Sequence, residues 1–193
     1  KGMGGVFTAA PGAFNKTEAA PNPDQIGGAA AMAAQGIAHF ECASEAEAFG
    51  SARALLSYLP DNNLVDAPDE GCADDLNRMI ENYAGEYDTH QMVRAAMDNS
   101  VFLETQAAYA PSVVTGFARV NGRSVGVVAS SGAALCKHAC AKAAGFVAFC
   151  DAFGLPVVTF VDTPGYLPGV KQEEGGIIRH GAKVLYAYAE ATS

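Results

Sequence analysis

Basic side chains are scarce in this 193-residue chain: 12 Lys and Arg stand against 21 Asp and Glu, for a net charge of −9. A protein that grips phosphate backbones needs clustered Lys and Arg, so nucleic acid is not an expected partner. Apolar runs are short as well, and none approaches the ~20 residues that a helix needs to cross a bilayer. No membrane association is therefore expected. Lys1 opens a Gly- and Ala-rich stretch that lacks the basic-then-apolar order of a secretory leader. Paired cysteines are missing too. Cys42, Cys72, Cys136, Cys140 and Cys150 are odd in number and irregular in spacing, which argues against a disulfide framework and for a reducing compartment, bacterial cytoplasm or mitochondrial matrix. Cys136, His138 and Cys140 lack the C-x2-C geometry of a zinc site and read as small residues on a partly buried helix, so no metal is expected.

What is present is a globular composition, 50% apolar and 17% charged, in a length that suits one domain or parts of two. Lys1 is not an initiator Met. Val184, Leu185, Tyr188 and Ala189 carry a helical apolar stripe almost to Ser193 without a Gly or Pro stop. Both ends are therefore expected to be cuts from a longer chain.

Residues 1–35 are rich in Ala, Gly and Pro, with little periodicity. Ile37 to Phe40 has the apolar content of a short strand. Ser44, with Glu47 three residues on, predicts a capping box. The helix then runs to about Tyr58, with Phe49, Ala52, Leu55, Leu56 and Leu59 on one stripe, and Pro60 stops it. Polar residues 60–86 read as a surface loop and domain boundary. The expected division is 1–59 as the end of a first domain, 60–86 as a linker and 87–193 as the front half of a second.

The second region is better ordered. Asp88 is placed to cap a helix through Met97. Val101 to Thr105 reads as a strand. Val113–Val120 and Ser124–Ala129 flank Asn121-Gly122-Arg123, which signals a hairpin. A helix over Lys142–Phe153 presents Phe146, Phe149, Cys150 and Phe153. The continuous run Val157 to Val161 predicts a parallel strand buried on both faces. A loop over Asp162–Gly175 and a helix from Gly176 to Ala191 follow. Ligands in such α/β units bind beyond the carboxyl ends of the strands. The loop after Val161 is therefore the candidate site: its glycines let backbone approach a ligand, and the helix start offers free N–H groups beside Arg179, His180 and Lys183. The alternatives for this loop, a tight connection with no ligand and a structural His180, stay open at this stage. The segment Val158 to Gly165 also looks like the D-x-x-G segment of GTPases. No G-x-x-x-x-G-K-[ST] loop accompanies it, and that reading is set aside.

The run Phe149 to Phe153, then Thr159 to Gly169, then Gln172-Glu173 and Gly175 to Lys183, resembles the carboxyltransferase (beta) subunits of biotin-dependent acyl-CoA carboxylases, with propionyl-CoA carboxylase beta chains as the nearest group. Gly36 to Phe40, Leu55 to Pro60 with Asn62-Asn63-Leu64, and Gly116 to Arg123 agree in order. The resemblance implies an α/β, crotonase-like fold of ββα spirals, here as parts of two related domains. It implies transfer of carboxyl from carboxybiotin, carried on a biotin carboxylase or biotin carrier partner, to the α-carbon of propionyl-CoA or acetyl-CoA. The active site then lies between subunits of a homo-oligomer, dimer to hexamer, within an ATP-dependent holoenzyme. Backbone N–H pairs stabilise the developing oxyanions, without a metal. By resemblance, Phe102, Gly116, Phe117, Ala118, Arg119 and Gly126 lie in the acyl-CoA region. Gly165, Tyr166, Leu167, Pro168, Gly169, Gln172, Gly175, Gly176 and Arg179 form the biotin-side loop. No side chain is given a catalytic role.

The chain departs from the family at four places. The Ser-Gly-Gly-Ala-Arg and Gly-Gly-Ala-Tyr runs that supply oxyanion donors would fall before Lys1 and after Ser193. The segment from Ser130 to Cys140 differs from the family's wording. Gly145 stands where a basic residue is usual. Two other readings remain at this level: a biotin-dependent acyl-CoA decarboxylase subunit, and a truncated, non-catalytic paralogue. A hydrolase or hydratase of the wider crotonase group fits the Gln172–Lys183 wording less well.

Overall fold

The computed structural model describes residues 4–8, 22–62, 64–75, 77–80 and 87–193. Asn22 caps a short helix α1 (Pro23–Gly27) through its side chain, with Pro23 at the position where a missing N–H costs nothing. Helix α2 (Ala29–Ala34) follows. Neither helix is expected from the unpatterned Ala-rich sequence. Ile37 to Phe40 is not a strand. Gly36 takes a left-handed φ of 75°, and the Ile37 and Ala38 N–H groups both donate to Met32 O. Those donors close the end of α2 and are lost to any sheet.

Helix α3 (Glu45–Leu56) begins as its sequence predicts. Ser44 Oγ accepts from Glu47 N at 3.2 Å. The Glu47 carboxylate reaches back one residue further than a capping box requires and accepts from Ala43 N at 2.7 Å. Half of its apolar stripe is unpartnered: Leu55 packs on the core, while Phe49 and Leu56 are 62% and 66% exposed. The described part of 60–86 contains neither helix nor strand and runs along the hairpin. Glu70 N donates to Gly122 O, and Arg78 donates to the carbonyls of Ala95, Ala96 and Met97.

Helix α4 (Thr89–Ala96) is capped by Asp88, which accepts from His90 N. One four-stranded sheet follows: β1 (Leu103–Thr105), β2 (Val113–Val120), β3 (Arg123–Ser130) and β4 (Val157–Phe160), in that spatial order. β1 is shorter than expected because Val101 N turns back to Asp98 O. β2 and β3 form the anticipated hairpin, with Asn121 and Gly122 at φ 50° and 83°, the left-handed pair that a two-residue turn demands. β3 and β4 are parallel, joined by helix α5 (Lys137–Ala152).

α5 starts at Lys137, ahead of the expected Lys142, because Cys136 acts as its N-cap: Cys136 Sγ accepts from Ala139 N at 3.4 Å. β4 is not buried on both faces. It is the edge of the described sheet and only partly covered, and Val161 beyond it is 77% exposed. The loop after β4 holds a short unanticipated helix, α6 (Val170–Glu174), before α7 (Ile177–Glu190).

Strand alternation divides the core into two layers. Val114, Ala118, Val125, Val127 and Ala129 face α4, through Val93 and Met97. Val113, Phe117 and Val128 face α5, through Ala143, Phe146, Val147 and Cys150, and Tyr58 and Leu59 join that layer. α7 lies against α5, with Val184 and Ala187 packed on the same layer. Burial of these side chains stabilises by roughly 1.5–3 kcal/mol for each large one. α5 is thus the central helix, and both candidate regions are built on it.

Candidate functional site

The middle of α5 forms one wall of a cavity of about 400 Å³. Leu55, Gln106, Tyr109, Phe117, Phe146 and Phe149 line it together with His39, Lys142 and Gly145. Lys142 is only 3% exposed. Its ammonium donates to Gln106 O at 3.0 Å and Tyr109 O at 2.9 Å. Burial pulls its pKa from 10.5 to about 8, against the pull of the Glu104 carboxylate. His39 on the facing wall is held below its ordinary value by burial and then by the Lys142 charge. The Tyr109 hydroxyl meets His138 Nδ1 at 3.1 Å, and burial raises its pKa.

The start of α5 carries the second region. Leu135 bridges to Tyr166 in a parallel fashion: Leu135 N donates to Gly165 O at 2.8 Å, and Leu167 N donates to Leu135 O at 2.9 Å. Gln172 Oε1 accepts from Lys137 N at 3.0 Å, so α6 satisfies one of the free donors at the start of α5. The Lys137 chain lies over Gly175, where an added Cβ would stand 2.1 Å from its Nζ. The Tyr166 ring lies on Gly181 of α7, where a Cβ would come within 2.8 Å of it. Gly176 opens α7 in the left-handed region, φ 75°, and Arg179 folds back towards it. Gly165 and Gly169 have open space on their Cβ side. Burial, and then the charges of Lys183, Arg179, His138 and Lys137, lower the His180 pKa. On a chain of net charge −9, this is a local concentration of cations and free backbone donors suited to an anion.

The structure treats the two predicted sets of residues differently. Gly165, Tyr166, Leu167, Pro168, Gly169, Gln172, Gly175, Gly176 and Arg179 come together as one loop around the start of α5. The other set is split by the sheet. Phe102, Gly116 and Ala118 lie on the α4 side, with the Phe102 ring filling the space above Gly116. Phe117, Arg119 and Gly126 lie on the α5 side. Of these six, Phe117 alone lines the cavity. Gly126 is pressed against Cys150 Sγ and Phe146. Arg119 is a tether: its guanidinium sits 4.4 Å above the Tyr58 ring, donates to Ser57 O at 2.7 Å and pairs with Glu70 at 2.9 Å. A run of consecutive residues cannot line one pocket from a strand, because the side chains alternate.

Sequence reasoning missed the cavity residues His39, Gln106, Tyr109 and Lys142. A lysine between Cys140-Ala141 and Ala143-Ala144 in an apolar helix was the available signal, since a charge conflicts with such neighbours. Cys136, His138 and Cys140 take separate places: Cys136 caps α5, His138 meets Tyr109, and Cys140 is buried in the core. A different trio, Cys72, Asp74 and Asp98, brings its ligand atoms within 4.8 Å of one another. Asp98 accepts from Gly122 N and Asp74 accepts from Asn99 N, so the trio ties the 71–75 segment to the hairpin turn.

The sequence profile described as "Carboxyl transferase domain" matches residues 3–193. The chain is 43% identical over 182 residues to the methylmalonyl-CoA decarboxylase subunit alpha of Veillonella parvula, covering 88% of this chain and 36% of that protein. It is 42% identical over 182 residues to the propionyl-CoA carboxylase carboxyltransferase subunit of Haloferax mediterranei, covering 88% and 35%. The transcarboxylase 12S structure, a hexamer with methylmalonyl-coenzyme A and methylmalonic acid bound, superposes with a TM-score of 0.88 at 43% identity, over 97% of this chain and 39% of that one. The chain spans about a third of the length of these curated relatives. The fold is the α/β, crotonase-like fold of these structures. No helix among the described residues is long and apolar enough to cross a membrane.

Proposed function

Since the chain belongs to the carboxyl transferase domain family, we propose that it forms part of the carboxyl-transferring component of a biotin-dependent acyl-CoA enzyme. The substrate class is a short acyl-CoA, propionyl-CoA or acetyl-CoA, carboxylated at its α-carbon to methylmalonyl-CoA or malonyl-CoA. The observation that carries this reading is the family match across residues 3–193, which takes in the whole loop from Gly165 to Arg179. In this reading residues up to 59 close a first domain, 60–86 link, and 87 onward begin a second. The compartment is a reducing one, cytoplasm or mitochondrial matrix, in keeping with five cysteines that form no disulfide.

Biotin, carried on a biotin carboxylase or biotin carrier partner, would supply the carboxyl group. The residues present fit it. Gly165 and Gly169 leave their backbone open to a flat ring, and the α7 start beside Gly176 and Arg179 offers N–H donors to an electron-rich carbonyl oxygen. The work of this chain is to border the biotin with a loop of fixed shape; the family's own oxyanion-donor runs are not among these residues. Gln172 and the Leu135–Tyr166 bridge hold the loop's shape, so the donors need no rearrangement when charge develops. On the acyl side, Phe117 and the α5 aromatics exclude water. The oligomer proposed is a homo-oligomer like the hexameric 12S relative.

Decarboxylation is the second reading, because a decarboxylase subunit of 43% identity stands among the relatives. The test is to isolate the native complex from cells and supply ATP, labelled bicarbonate and propionyl-CoA in one reaction, and methylmalonyl-CoA alone in a parallel one. Label fixed in acid-stable thioester, and blocked by avidin, is the expected result. Label-free product, with release of CO2 from methylmalonyl-CoA instead, assigns the decarboxylase. Neither activity overturns both and leaves a non-catalytic paralogue.

A further inference from the structure

The Lys142 ammonium is buried without a carboxylate in contact among the described residues. Two of its three donors go to backbone carbonyls, Gln106 O at 3.0 Å and Tyr109 O at 2.9 Å, and the third has no hydrogen-bond partner among the described residues. Buried charges are normally paired, since an unpaired one is costly. The nearest acid, Glu104, is committed to His90, with contacts of 3.1 and 3.2 Å. On the facing wall His39 adds no negative charge. The cavity of about 400 Å³ that Lys142 lines has room for the missing counter-charge.

Phe117, Phe146, Phe149 and Leu55 give the cavity an apolar surface, beside the polar Gln35, Thr105 and Gln106. Gly145 leaves its side of the cavity open, as a Cβ added there meets nothing within 4 Å. We propose that this cavity is a binding site for a small monocarboxylate with an apolar body, its carboxylate on the Lys142 ammonium and its chain against the phenylalanines. A charge-assisted N–H···O bond is the strong kind, and the aromatic walls take the hydrocarbon. A site of this kind requires neither biotin nor coenzyme A, so binding is measured without either and stands or falls apart from carboxyl transfer.

The probe is hexanoate, with hexanamide as its neutral counterpart, titrated by calorimetry and by ligand-observed NMR into the longest natural chain that carries these residues. Saturable binding of hexanoate, at least about tenfold tighter than hexanamide, is expected. Lys142→Met should bring hexanoate down to the hexanamide level. Gly145→Leu should abolish binding of both by filling the cavity, in a variant whose helix former replaces a helical Gly and whose fold is checked by circular dichroism. Hexanoate binding no tighter than hexanamide in the unmodified chain, or absent, overturns the proposal whether or not the Lys142 variant folds. Undiminished binding in Gly145→Leu overturns it as well.

Discussion

At the residue scale, one side chain departs furthest from what its type predicts. Lysine is ordinarily a surface residue, yet Lys142 is buried at the centre of the cavity wall, with its pKa lowered to about 8 by burial. The unfolded chain holds that proton up to its ordinary value of 10.5. Between these two values the unfolded state binds more protons than the folded one, so this residue's contribution to stability rises with pH. The full gain is about 3 kcal/mol. Cys150, whose thiol burial pushes up to about 12, acts in the opposite direction above pH 9, so the comparison must be differential. The stability of the unmodified chain relative to Lys142→Met, from urea unfolding, is expected to climb from pH 8 to pH 10.5. A flat difference contradicts the burial of a charged lysine. Arg119 is the counterpart: a cation the sequence offers as a ligand group and the structure spends on packing, over Tyr58 and onto Ser57 O. Its position in the motif was legible. Its job was not, because both partners come from residues about sixty positions away.

At the scale of elements, local chemistry decided what could be read in advance. Ser44, Asp88 and Asn121-Gly122 are strong short-range signals, and each produced its helix start or turn. α5 was read from Lys142 because its cap is a cysteine. Sulfur accepts a backbone N–H weakly, at 3.4 Å here, and Cys is not among the residues that mark a helix start. α1 and α2 have no apolar periodicity to find, and Ile37–Phe40 lost its strand to the carbonyl of Met32. The weak cap gives a prediction. Cys136→Asp should stabilise the chain by about 1 kcal/mol, through a better acceptor and a favourable charge at the start of α5. Gly122→Ala should cost about 2 kcal/mol or more, because the turn sits at φ 83° and the added Cβ would meet Glu70 O at 2.0 Å. Chemical denaturation of both variants checks the pair. A neutral Cys136→Asp would show that the Cys136 cap is already sufficient.

At the scale of the whole molecule, α5 organises both regions: its start is pinned by the loop through Gln172 and Leu135, and its middle walls the cavity. The loop was legible from its Pro-Gly and Gly-Gly wording. The cavity was not, because its walls come from α3, the turn after α2, the residues after β1 and α5, a juxtaposition that no local pattern encodes. The central claim is that this fold serves carboxyl transfer between a biotin and an acyl-CoA. Its most direct test removes the partner altogether. The longest natural chain carrying these residues is incubated with carboxyl-labelled methylmalonyl-CoA and free biocytin, and the biocytin is recovered on avidin. Label on the recovered biocytin, with propionyl-CoA as co-product, is the result expected. Label that stays on the thioester, with no propionyl-CoA formed, contradicts the claim.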